Sequence, residues 1–404
     1  MTLVPVAEAK ARLLARARPV TEVEQAGLAD ADGRVLAEPV AARITQPPFD
    51  ASAMDGYALR AADASAIGAA LAIIGTAAAG HPYTGSVGPG ETVRIFTGAP
   101  VPDGADTVLI QEDSESLDGD RISTRCDVTK GRHIRPKGQD FVEGEVILPR
   151  GIMLDYSRLT VAAAMNHASL PVYRRPKVGI LATGDELLSP GSAPLPGQII
   201  ASNTFGVSAL VRDNGGDVLD LGIVPDRREA IARAVDTARA ANVDVLVTLG
   251  GASVGDHDLV QSTLKAAGME LDFWRIAMRP GKPLMVGALG DMQVLGLPGN
   301  PVASLVCSLL FLEPLVRTLA HLPERLREAQ AVTMRDLTAN DRRQDYIRAT
   351  LARNAQGELQ ATAFDKQDSS MMKIFANSDA LIIRPPHAPV LPAGSTCPVL
   401  LLRP

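Results

Sequence analysis

Residues 177–186 have the sequence KVGILATGDE, and this pattern indicates the fold class of the central part of the chain. A short apolar run that ends in glycine and acidic residues is typical of a buried strand followed by a loop. Similar apolar runs follow at residues 218–224, 243–249 and 292–297. Helical patterns alternate with these strands. The alternation predicts a three-layer α/β/α domain built on a mostly parallel sheet.

Four helices are predicted between and after these strands. The first starts near Thr204 with Asn203 as its cap, and the second covers residues 227–241. The third covers residues 258–268, and the fourth opens at Pro301, because proline is favoured in the first turn of a helix.

The sequence pattern changes on both sides of this central domain. Residues 44–151 contain short β-type runs separated by Gly, Pro and Asp, at the spacing typical of hairpins. Residues 1–30 and 152–173 have helical patterns that are too short to bury an apolar face alone, so we expect them to pack together. The predicted domains are a discontinuous helical linking domain (1–43 and 152–175), an inserted β domain (44–151), the α/β domain (176–323) and a C-terminal β domain (324–404).

Composition excludes several classes of function. The 404 residues include 40 Lys and Arg against 46 Asp and Glu, a formal charge of −6, which disfavours a basic nucleic-acid binder. Aromatic residues make up 3%, too few for a base-stacking platform. The apolar run at residues 305–312 is too short to span a bilayer. The three cysteines form no CxxC pair, so we expect a cytoplasmic protein without disulfides and without a cysteine zinc site. From the net charge and the short apolar run we expect neither a nucleic-acid partner nor a membrane partner.

Polar loops follow the predicted strands, where open α/β sheets bind ligands. Residues 250–258 (GGASVGDHD) place three glycines and a serine before a helix. Backbone N–H groups of such a loop can approach a phosphate closely at the helix N-terminus. The same glycines are also compatible with a simple tight turn, and the loop alone leaves both readings open.

Acidic and basic residues occur together in these loops. Oxygen ligands for a divalent metal beside cations for phosphates would explain the mixture. A solvated rim is the alternative, with Asp226 and Asp258 as helix caps. The charged residues in question are Asp185, Glu186, Asp226, Asp256, Asp258, Arg279 and Lys282.

The β domain supplies a second polar set. It comprises residues 52–58 (SAMDGYA), 94–102 (RIFTGAPVP) and 134–140 (IRPKGQD). Turn chemistry alone can explain the Asp-Gly and Thr-Gly pairs. Arg135 and Lys137 are two residues apart in an extended stretch, so they share a face that can hold an anion.

Seven segments together resemble the MoeA family of molybdopterin molybdenumtransferases, to which the C-terminal domain of gephyrin is related. The resemblance covers nearly the whole chain and keeps the order of the family's motifs. It implies four domains, with a C-terminal β-barrel-like domain, and elongated homodimers whose active site lies between the α/β domain of one subunit and the β domain of the other. The segments are residues 52–58, 94–102, 134–140, 182–187, 250–256, 279–283 and 297–302.

The resemblance also implies a reaction. A transferase of this family inserts molybdenum from molybdate into adenylylated molybdopterin and releases AMP, with Mg²⁺ or a similar divalent cation as cofactor. The implied transient partners are molybdopterin adenylyltransferase and apo-molybdoenzymes. Several anions must then meet in one cleft, and they repel one another unless cations neutralise them.

Site residues are implied position by position. One departure concerns Arg279, where the family often has lysine, so a planar fork replaces a point charge. The implied catalytic residues are Asp55, Thr97, Arg135, Asp140, Glu186, Asp226, Asp258 and Lys282, of which Glu186, Asp226 and Asp258 also bind the metal. The implied substrate-binding residues are Thr183, Gly184, Asp185, Gly250, Gly251, Ser253, Gly255, Asp256, Arg279, Pro298, Asn300, Pro301, Ser369 and Ser370.

Three alternatives remain at this point. A molybdopterin adenylyltransferase shares the α/β domain, but the motifs around Asp55, Thr97 and Arg135 disfavour it. A non-catalytic scaffold like gephyrin would have no electrostatic need for the acidic residues and Lys282. A paralogue that inserts tungsten is not separable by residue types, because the two oxyanions have nearly the same size and charge.

Overall fold

A computed structural model describes residues 3–250 and 259–403. The chain divides into two compact units. The large unit contains the N-terminal residues up to Glu24, residues 33–35 and all residues from Tyr173 onwards. The small unit contains residues 25–32 and 36–172. The two units are described separately below.

The regular elements of the described residues are numbered in chain order. The helices are α1 (Val6–Ala15), α2 (Tyr156–Ala164), α3 (Asn203–Asp213), α4 (Arg228–Ala240), α5 (Leu259–Ala266), α6 (Pro301–Cys307), α7 (Glu313–Leu319) and α8 (Met372–Ala376). The strands are β1 (Val23–Gly27), β2 (Val40–Ala41), β3 (Ala51–Ser52), β4 (Gly56–Leu59), β5 (Ala70–Ala77), β6 (Glu91–Ile95), β7 (Thr107–Ile110), β8 (Ser114–Leu117), β9 (Arg121–Thr124), β10 (Ile134–Arg135), β11 (Val146–Leu148), β12 (Ser169–Tyr173), β13 (Lys177–Thr183), β14 (Leu187–Leu188), β15 (Ile199–Ile200), β16 (Asp217–Val224), β17 (Val245–Leu249), β18 (Glu270–Arg275), β19 (Met278–Arg279), β20 (Pro283–Leu289), β21 (Met292–Leu297), β22 (Glu328–Thr333), β23 (Gln344–Arg353), β24 (Leu359–Ala363), β25 (Ala380–Arg384) and β26 (Thr396–Leu401).

The central sheet of the large unit has the strand order β16-β13-β17-β21-β20-β18. The four strands predicted from the sequence are β13, β16, β17 and β21, and they pair in parallel. The prediction of a mostly parallel sheet is therefore confirmed. Two further strands, β18 and β20, extend the sheet in antiparallel pairing and were not predicted.

Helices cover both faces of this sheet, as a three-layer domain requires. On one face α3, α6 and α7 bury residues such as Val207, Val302 and Leu315, and α1 adds Leu13 to the same core. On the other face α4 and α5 bury residues that include Ile231. Each such side chain contributes about 1.5–3 kcal/mol when it is fully buried. The cores on the two faces therefore hold the carboxyl ends of the parallel strands in place.

Two predicted helices differ in detail from the structure. The cap position of α3 is Ser202, so the prediction that Asn203 caps this helix is wrong, and its amide donates instead to the Gly299 carbonyl at 2.8 Å. The N-terminal helix ends at Ala15, and the expectation of helix up to residue 30 is wrong beyond that point. Pro19 cannot continue a helix, and the β-branched residues after it lead into the strand β1.

The fourth predicted helix is longer than its apolar run suggested. Pro301–Leu319 is a continuous helical segment of 19 residues with a mean hydropathy of 1.7, and a π-helical turn at Ser308–Leu312 joins α6 to α7. In length and composition this segment would suffice to cross a membrane, yet 78% of it is buried within the protein. It is a core helix of the α/β domain, whose apolar side chains pack against the sheet.

The C-terminal part of the large unit is a small barrel. Strands β23, β24, β22, β26 and β25 pair in that order, and β25 pairs with β23 again to close the ring. This confirms the prediction of a C-terminal β-barrel-like domain. The short strand β19 joins the barrel in register, with Arg279 opposite Asp345. The barrel thereby reaches the loop that contains the basic residues of the α/β domain.

The small unit is built around a six-stranded sheet in the order β7-β4-β6-β5-β9-β8. Two apolar clusters form its core, one around Leu109 and Ile122 and the other around Val93 and Val108. A third cluster packs α2 against residues of β1, β2, β11 and β12, whereas α1 lies in the core of the α/β domain, so the expectation that the two helical segments pack together is wrong for α1 and α2. The Asp155 carboxylate caps α2 by accepting from the Ser157 and Arg158 N–H groups. The expected β character of this region is confirmed. Strands β1 and β12 form a two-stranded sheet.

Candidate functional site

A cleft with a volume of about 1410 Å³ opens in the large unit. It lies at the carboxyl ends of the parallel strands, where Thr183 ends β13 and Gly250 follows β17. Residues of the barrel line the opposite side. The structure therefore brings together most of the predicted residues of the large unit, namely Thr183, Glu186, Asp226, Gly250, Arg279, Lys282, Pro298, Asn300, Pro301, Ser369 and Ser370.

Two carboxylates that line the cleft, Glu186 and Asp226, lie near the Asp185 carboxylate, and we call these three residues the acid corner. The Asp226 N–H donates to the Asp185 carboxylate at 3.2 Å. Partial burial, followed by the charges of Asp185 and Glu186, raises the pKa of Asp226. Like charges therefore crowd this corner, and a bound cation or proton would relieve their repulsion.

The backbone at the acid corner depends on glycine. Gly184 has a φ of +153°, and a Cβ at this position would lie 2.5 Å from the Glu186 carboxylate.

Asp226 does not cap α4, because the cap position is Arg227 and no side-chain cap bond forms there. The capping alternative is therefore wrong for Asp226.

A divalent cation is the implied partner of this corner, and the donor set fits it in part. Carboxylate oxygens are the preferred ligands of Mg²⁺. Two of the three predicted ligands, Glu186 and Asp226, line the cleft. Within residues 3–250 and 259–403, no group of three or more His, Cys, Asp or Glu side chains is placed to hold a metal ion. The third predicted ligand, Asp258, lies outside the described residues.

The glycine-rich loop is described only at its first residue. Gly250 has a φ of +97°, and a Cβ there would lie 2.8 Å from the Thr183 carbonyl oxygen. The buried Thr183 hydroxyl has no hydrogen-bond partner among the described residues. Gly251, Ser253, Gly255, Asp256 and His257 lie outside them, so the choice between a phosphate cradle and a tight turn stays open.

The two predicted cations of the cleft have different surroundings. Arg279 contacts the Asp345 carboxylate and lies 3.8 Å from Asp341, and its bond to Asp345 raises the pKa of Arg279. Lys282 is half-buried, and its ammonium group has no ion-pair or hydrogen-bond partner in the part of the chain that the structure describes. Lys282 is therefore available to an anion, whereas Arg279 is already bound to the barrel.

Barrel residues that sequence reasoning missed support this side of the cleft. Arg343 lines the cleft and pairs with Asp341 at 2.7 Å. The buried Arg348 donates to the Asp368 carbonyl at 2.6 Å and so holds the loop that carries the two serines. No short sequence motif identifies these residues. Only the pairing of β19 with β23 would have indicated that this part of the barrel lies beside the cleft.

Hydroxyl groups and a proline-rich turn complete the cleft. The Asn300 amide donates to the Ser369 hydroxyl at 2.9 Å. The Ser370 N–H donates to the Asp368 carboxylate at 2.8 Å, and the Ser370 hydroxyl and N–H together lower the pKa of Asp368. Pro298 and Pro301 restrict the turn that carries Asn300. This edge of the cleft presents the Ser369 hydroxyl beside the Asp368 carboxylate, to which Ser370 donates.

The small unit places its predicted residues on its own surface. The Asp55 carboxylate accepts hydrogen bonds from the Thr97 N–H and hydroxyl, both at 2.7 Å, and these bonds lower the pKa of Asp55. Arg135 lies on β10, paired with Ala51 of β3. Asp140 is exposed, and its N–H donates to the Gln46 carbonyl at 3.0 Å. In the structure Asp55 is hydrogen-bonded to Thr97. Arg135 and Asp140 are exposed residues that lie close together in the sequence.

Sequence reasoning also missed Arg94 in this unit. Its guanidinium lies 4.9 Å from the Tyr57 ring centroid and 5.1 Å from that of Phe96. It donates to the Gly56 carbonyl at 3.3 Å and to Gln111. Arg94 therefore holds the turn that contains Asp55. Arg94 is the first residue of the segment 94–102, and its positive charge is the feature of the sequence that could have identified it.

Comparison with known proteins covers nearly the whole chain. Three family models match: the MoeA N-terminal region (domain I and II) at residues 4–166, a probable molybdopterin binding domain at residues 179–318, and the MoeA C-terminal region (domain IV) at residues 330–402. Among solved structures, the molybdopterin biosynthesis moea protein from Pyrococcus horikosii superposes with a TM-score of 0.83 at 27% identity, covering 100% of both chains.

Curated relatives agree with these matches. A molybdopterin molybdenumtransferase from Haemophilus influenzae is 33% identical over 392 residues, which cover 96% of each chain. A second, from Bacillus subtilis, is 34% identical over 411 residues, which cover 100% of this chain and 95% of the relative. Since both ends, the central domain and the barrel all match in order, this chain belongs to the MoeA family.

Proposed function

We propose that this protein is a molybdopterin molybdenumtransferase of molybdenum cofactor biosynthesis. In the proposed reaction it inserts molybdenum from molybdate into adenylylated molybdopterin and releases AMP, in dependence on a divalent cation. The curated relatives that are named molybdopterin molybdenumtransferase match over nearly their full length. The proposal for this chain rests on that match and on the arrangement of charges in its cleft.

The observation that carries the proposal is the presence in one cleft of crowded carboxylates and of a lysine that has no ion-pair or hydrogen-bond partner among the described residues. The acid corner concentrates negative charge, whereas Lys282 offers an unpaired ammonium group among the described residues. Two like charges 4 Å apart repel by about 4 kcal/mol at an effective dielectric constant of 20. A site that gathers a pyrophosphate link and an oxyanion needs both features, a cation-binding corner and a fixed cation.

Each side chain has a task in this proposal. Lys282 binds an anionic group of the substrate as a point charge. The Asn300 amide orients the Ser369 hydroxyl, which donates to the oxyanion, whereas the Ser370 hydroxyl donates to Asp368 and so holds the serine loop. Arg279, held by Asp345, fixes the loop that carries Lys282. In the small unit, Asp55 is kept ionised by Thr97 and acts with Arg135 and Asp140.

A divalent cation would be held by Glu186 and Asp226 together with Asp258. When bound, such an ion neutralises phosphate charge and polarises a phosphoryl oxygen. In this scheme the raised pKa of Asp226 lets the ion displace a proton or relieve repulsion, so its affinity increases with pH.

We further propose a cytoplasmic homodimer that meets molybdopterin adenylyltransferase and apo-molybdoenzymes transiently. Size-exclusion chromatography with light scattering tests the dimer, which predicts twice the chain mass of 42.5 kDa. A monomer at micromolar concentration would contradict the proposed dimer, but it would not contradict the proposed reaction.

The reaction is tested by supplying the purified protein with adenylylated molybdopterin, Mg²⁺ and molybdate. We expect AMP release and a product that reconstitutes an apo-molybdoenzyme. AMP release that ignores molybdate would identify a simple hydrolase of the pyrophosphate link and contradict the proposal. A parallel series with tungstate shows which of the two oxyanions the protein prefers.

A further inference from the structure

A second cavity, of about 590 Å³, lies in the large unit away from the strand ends that form the cleft. It is formed by the end of α3, by the segment between α7 and β22, and by the residues that follow β26. No residue predicted from the sequence lines it. Its lining residues are Asp213, Arg325, Arg327, Leu402 and Arg403, and we call it the arginine pocket.

The three lining arginines differ in how their charge is compensated. Arg327 is buried and forms two bonds of 2.7 Å to the buried Glu313 carboxylate, so its charge is matched. Arg325 donates to the Asp213 carboxylate at 2.6 Å. Among the described residues Arg403 donates to the carbonyls of residues 376 and 378, and the distance to the Asp379 carboxylate is 3.8 Å. Arg403 is therefore the least compensated of the three.

A fourth guanidinium lies beside the pocket. Arg317 is buried and donates to the Pro323 carbonyl at 2.7 Å and to the Asn214 amide oxygen at 3.2 Å. It forms no ion pair with any described residue. Burial, and next the charge of Arg325, lower the pKa of Arg317, as expected where positive charges crowd together.

The balance of charges and donors leaves room for an anion. The lining of the pocket carries three guanidiniums (Arg325, Arg327, Arg403) and one carboxylate (Asp213), while Glu313 and Asp379, which pair with Arg327 and Arg403, are not among its lining residues. A guanidinium has five N–H donors. The described hydrogen bonds of Arg325 and of Arg403 use two donors each. Both arginines therefore keep donors for a ligand in the pocket.

We propose that the arginine pocket binds a small multivalent oxyanion of the class of phosphate, sulfate and molybdate, with Arg325 and Arg403 as its ligands. The planar fork of arginine matches the spacing of two oxygens on a tetrahedral anion. Leu402 provides the apolar part of the lining. The site stands apart from the cleft and does not depend on the proposed reaction.

Calorimetric titration of the full-length protein with phosphate, sulfate and molybdate tests the proposal. The variant Lys282→Ala serves as the background, because it removes a cleft cation that has no partner among the described residues. We expect binding to persist in this background and to weaken by about tenfold in Lys282→Ala/Arg403→Gln, the size of one lost charge-assisted hydrogen bond. Arg403→Lys, which keeps the charge but not the fork, should fall between them. Arg18→Gln, which removes an exposed arginine elsewhere, is the matched control.

Loss of all binding in the Lys282→Ala background would overturn the proposal, as would an unchanged affinity after Arg403→Gln. Crystals of the wild-type protein soaked in tungstate give a reading that does not depend on folding of the variants. An anomalous peak between Arg325 and Arg403 would support the pocket, and its absence at a saturating concentration would overturn it. A protein that binds oxyanion here but releases no AMP would refute the proposed reaction alone.

Discussion

The cleft has two charged regions that differ in how their charges interact. In one region the charges repel one another, and in the other they attract one another. In the acid corner, three carboxylates lie together and the pKa of Asp226 is raised. On the other side, which we call the barrel wall, Arg279 and Arg343 alternate with Asp341 and Asp345, and the pKa of Asp341 falls to about 2. Charges that satisfy one another stabilise the fold. Charges that repel one another cost stability and are suited to a ligand, which is why perturbed carboxylates mark functional sites.

The largest expected effect comes from the acid corner. Glu186→Gln should lower the rate of molybdate-dependent AMP release by about 10²–10³-fold, because it removes an electrostatic contact to the bound cation and substrate. The free energy of unfolding should stay unchanged or rise slightly, since one repelling charge is gone. The same variant should lose the thermal stabilisation that Mg²⁺ confers on the wild-type protein.

Asp236→Asn is the matched control for that experiment, because it removes an exposed carboxylate of α4 far from the acid corner. Turnover should stay at the wild-type value. If Glu186→Gln lost stability and activity in equal proportion, the acid corner would be structural like the barrel wall, and the contrast between the two regions would disappear.

The next effect concerns the barrel wall. Arg279→Ala should lower the free energy of unfolding by about 2 kcal/mol, because Asp345, which is only 9% exposed, would lose its charged partner. This is less than for a fully buried pair because the Arg279 side chain is 50% exposed. Urea unfolding measures the change.

Two companion variants sharpen this test. Arg279→Lys restores the residue type that the family often has and keeps the charge, so it should be milder. Arg279→Ala/Asp345→Asn should recover part of the loss, because no carboxylate is then left without a partner. Unchanged stability in Arg279→Ala would show that the barrel wall does not hold the barrel.

The smallest effect is a difference in pH dependence. The pKa of Asp226 is raised above 3.8 in the folded protein, so its ionised form is destabilising at pH 7 and Asp226→Asn should raise Tm there. This gain should vanish as pH falls through the raised pKa. Asp341 is the reverse case, because its pKa of about 2 means that its stabilisation is present above pH 3.8 and is lost as pH falls toward 2.

Asp341→Asn should accordingly lower Tm at pH 7 and should match the wild-type protein near pH 2. Thermal melts of both variants between pH 2 and pH 7 provide the comparison. Two curves of the same sign would mean that the charges of the two regions do not differ as described.

Most of the fold was predictable because its signals are local. The buried strands β13, β17 and β21 and the edge strand β16 are short apolar runs that end at glycine or polar residues, and each was identified. The antiparallel pair β18 and β20 was missed, since Pro283 and the mixed polarity of residues 270–275 hide the strand pattern. Residues 23–27 were predicted as helix because periodicity in so short a segment does not separate helix from strand.

The sequence could identify which residues belong to the site. It could not show which of these residues pair with one another or with the barrel. The motifs identified Arg279 and Lys282 as equivalent cations, and their different surroundings depend on β19 pairing with a strand some 65 residues later. Sequence distance carries no information on such a pairing. The arginine pocket also joins three distant segments, and no motif marks it.

The sequence by itself determined the family, the order of strands and helices, and which polar loops follow the strands of the central sheet. These features depend on contacts between near neighbours and on motifs that can be compared directly. Only the tertiary structure decided which charges are compensated, namely Arg279 by Asp345, and which have no compensating partner among residues 3–250 and 259–403, namely Lys282 and the acid corner. The reason is physical, because the energy of a charge depends on the distance to other charges, and folding sets those distances.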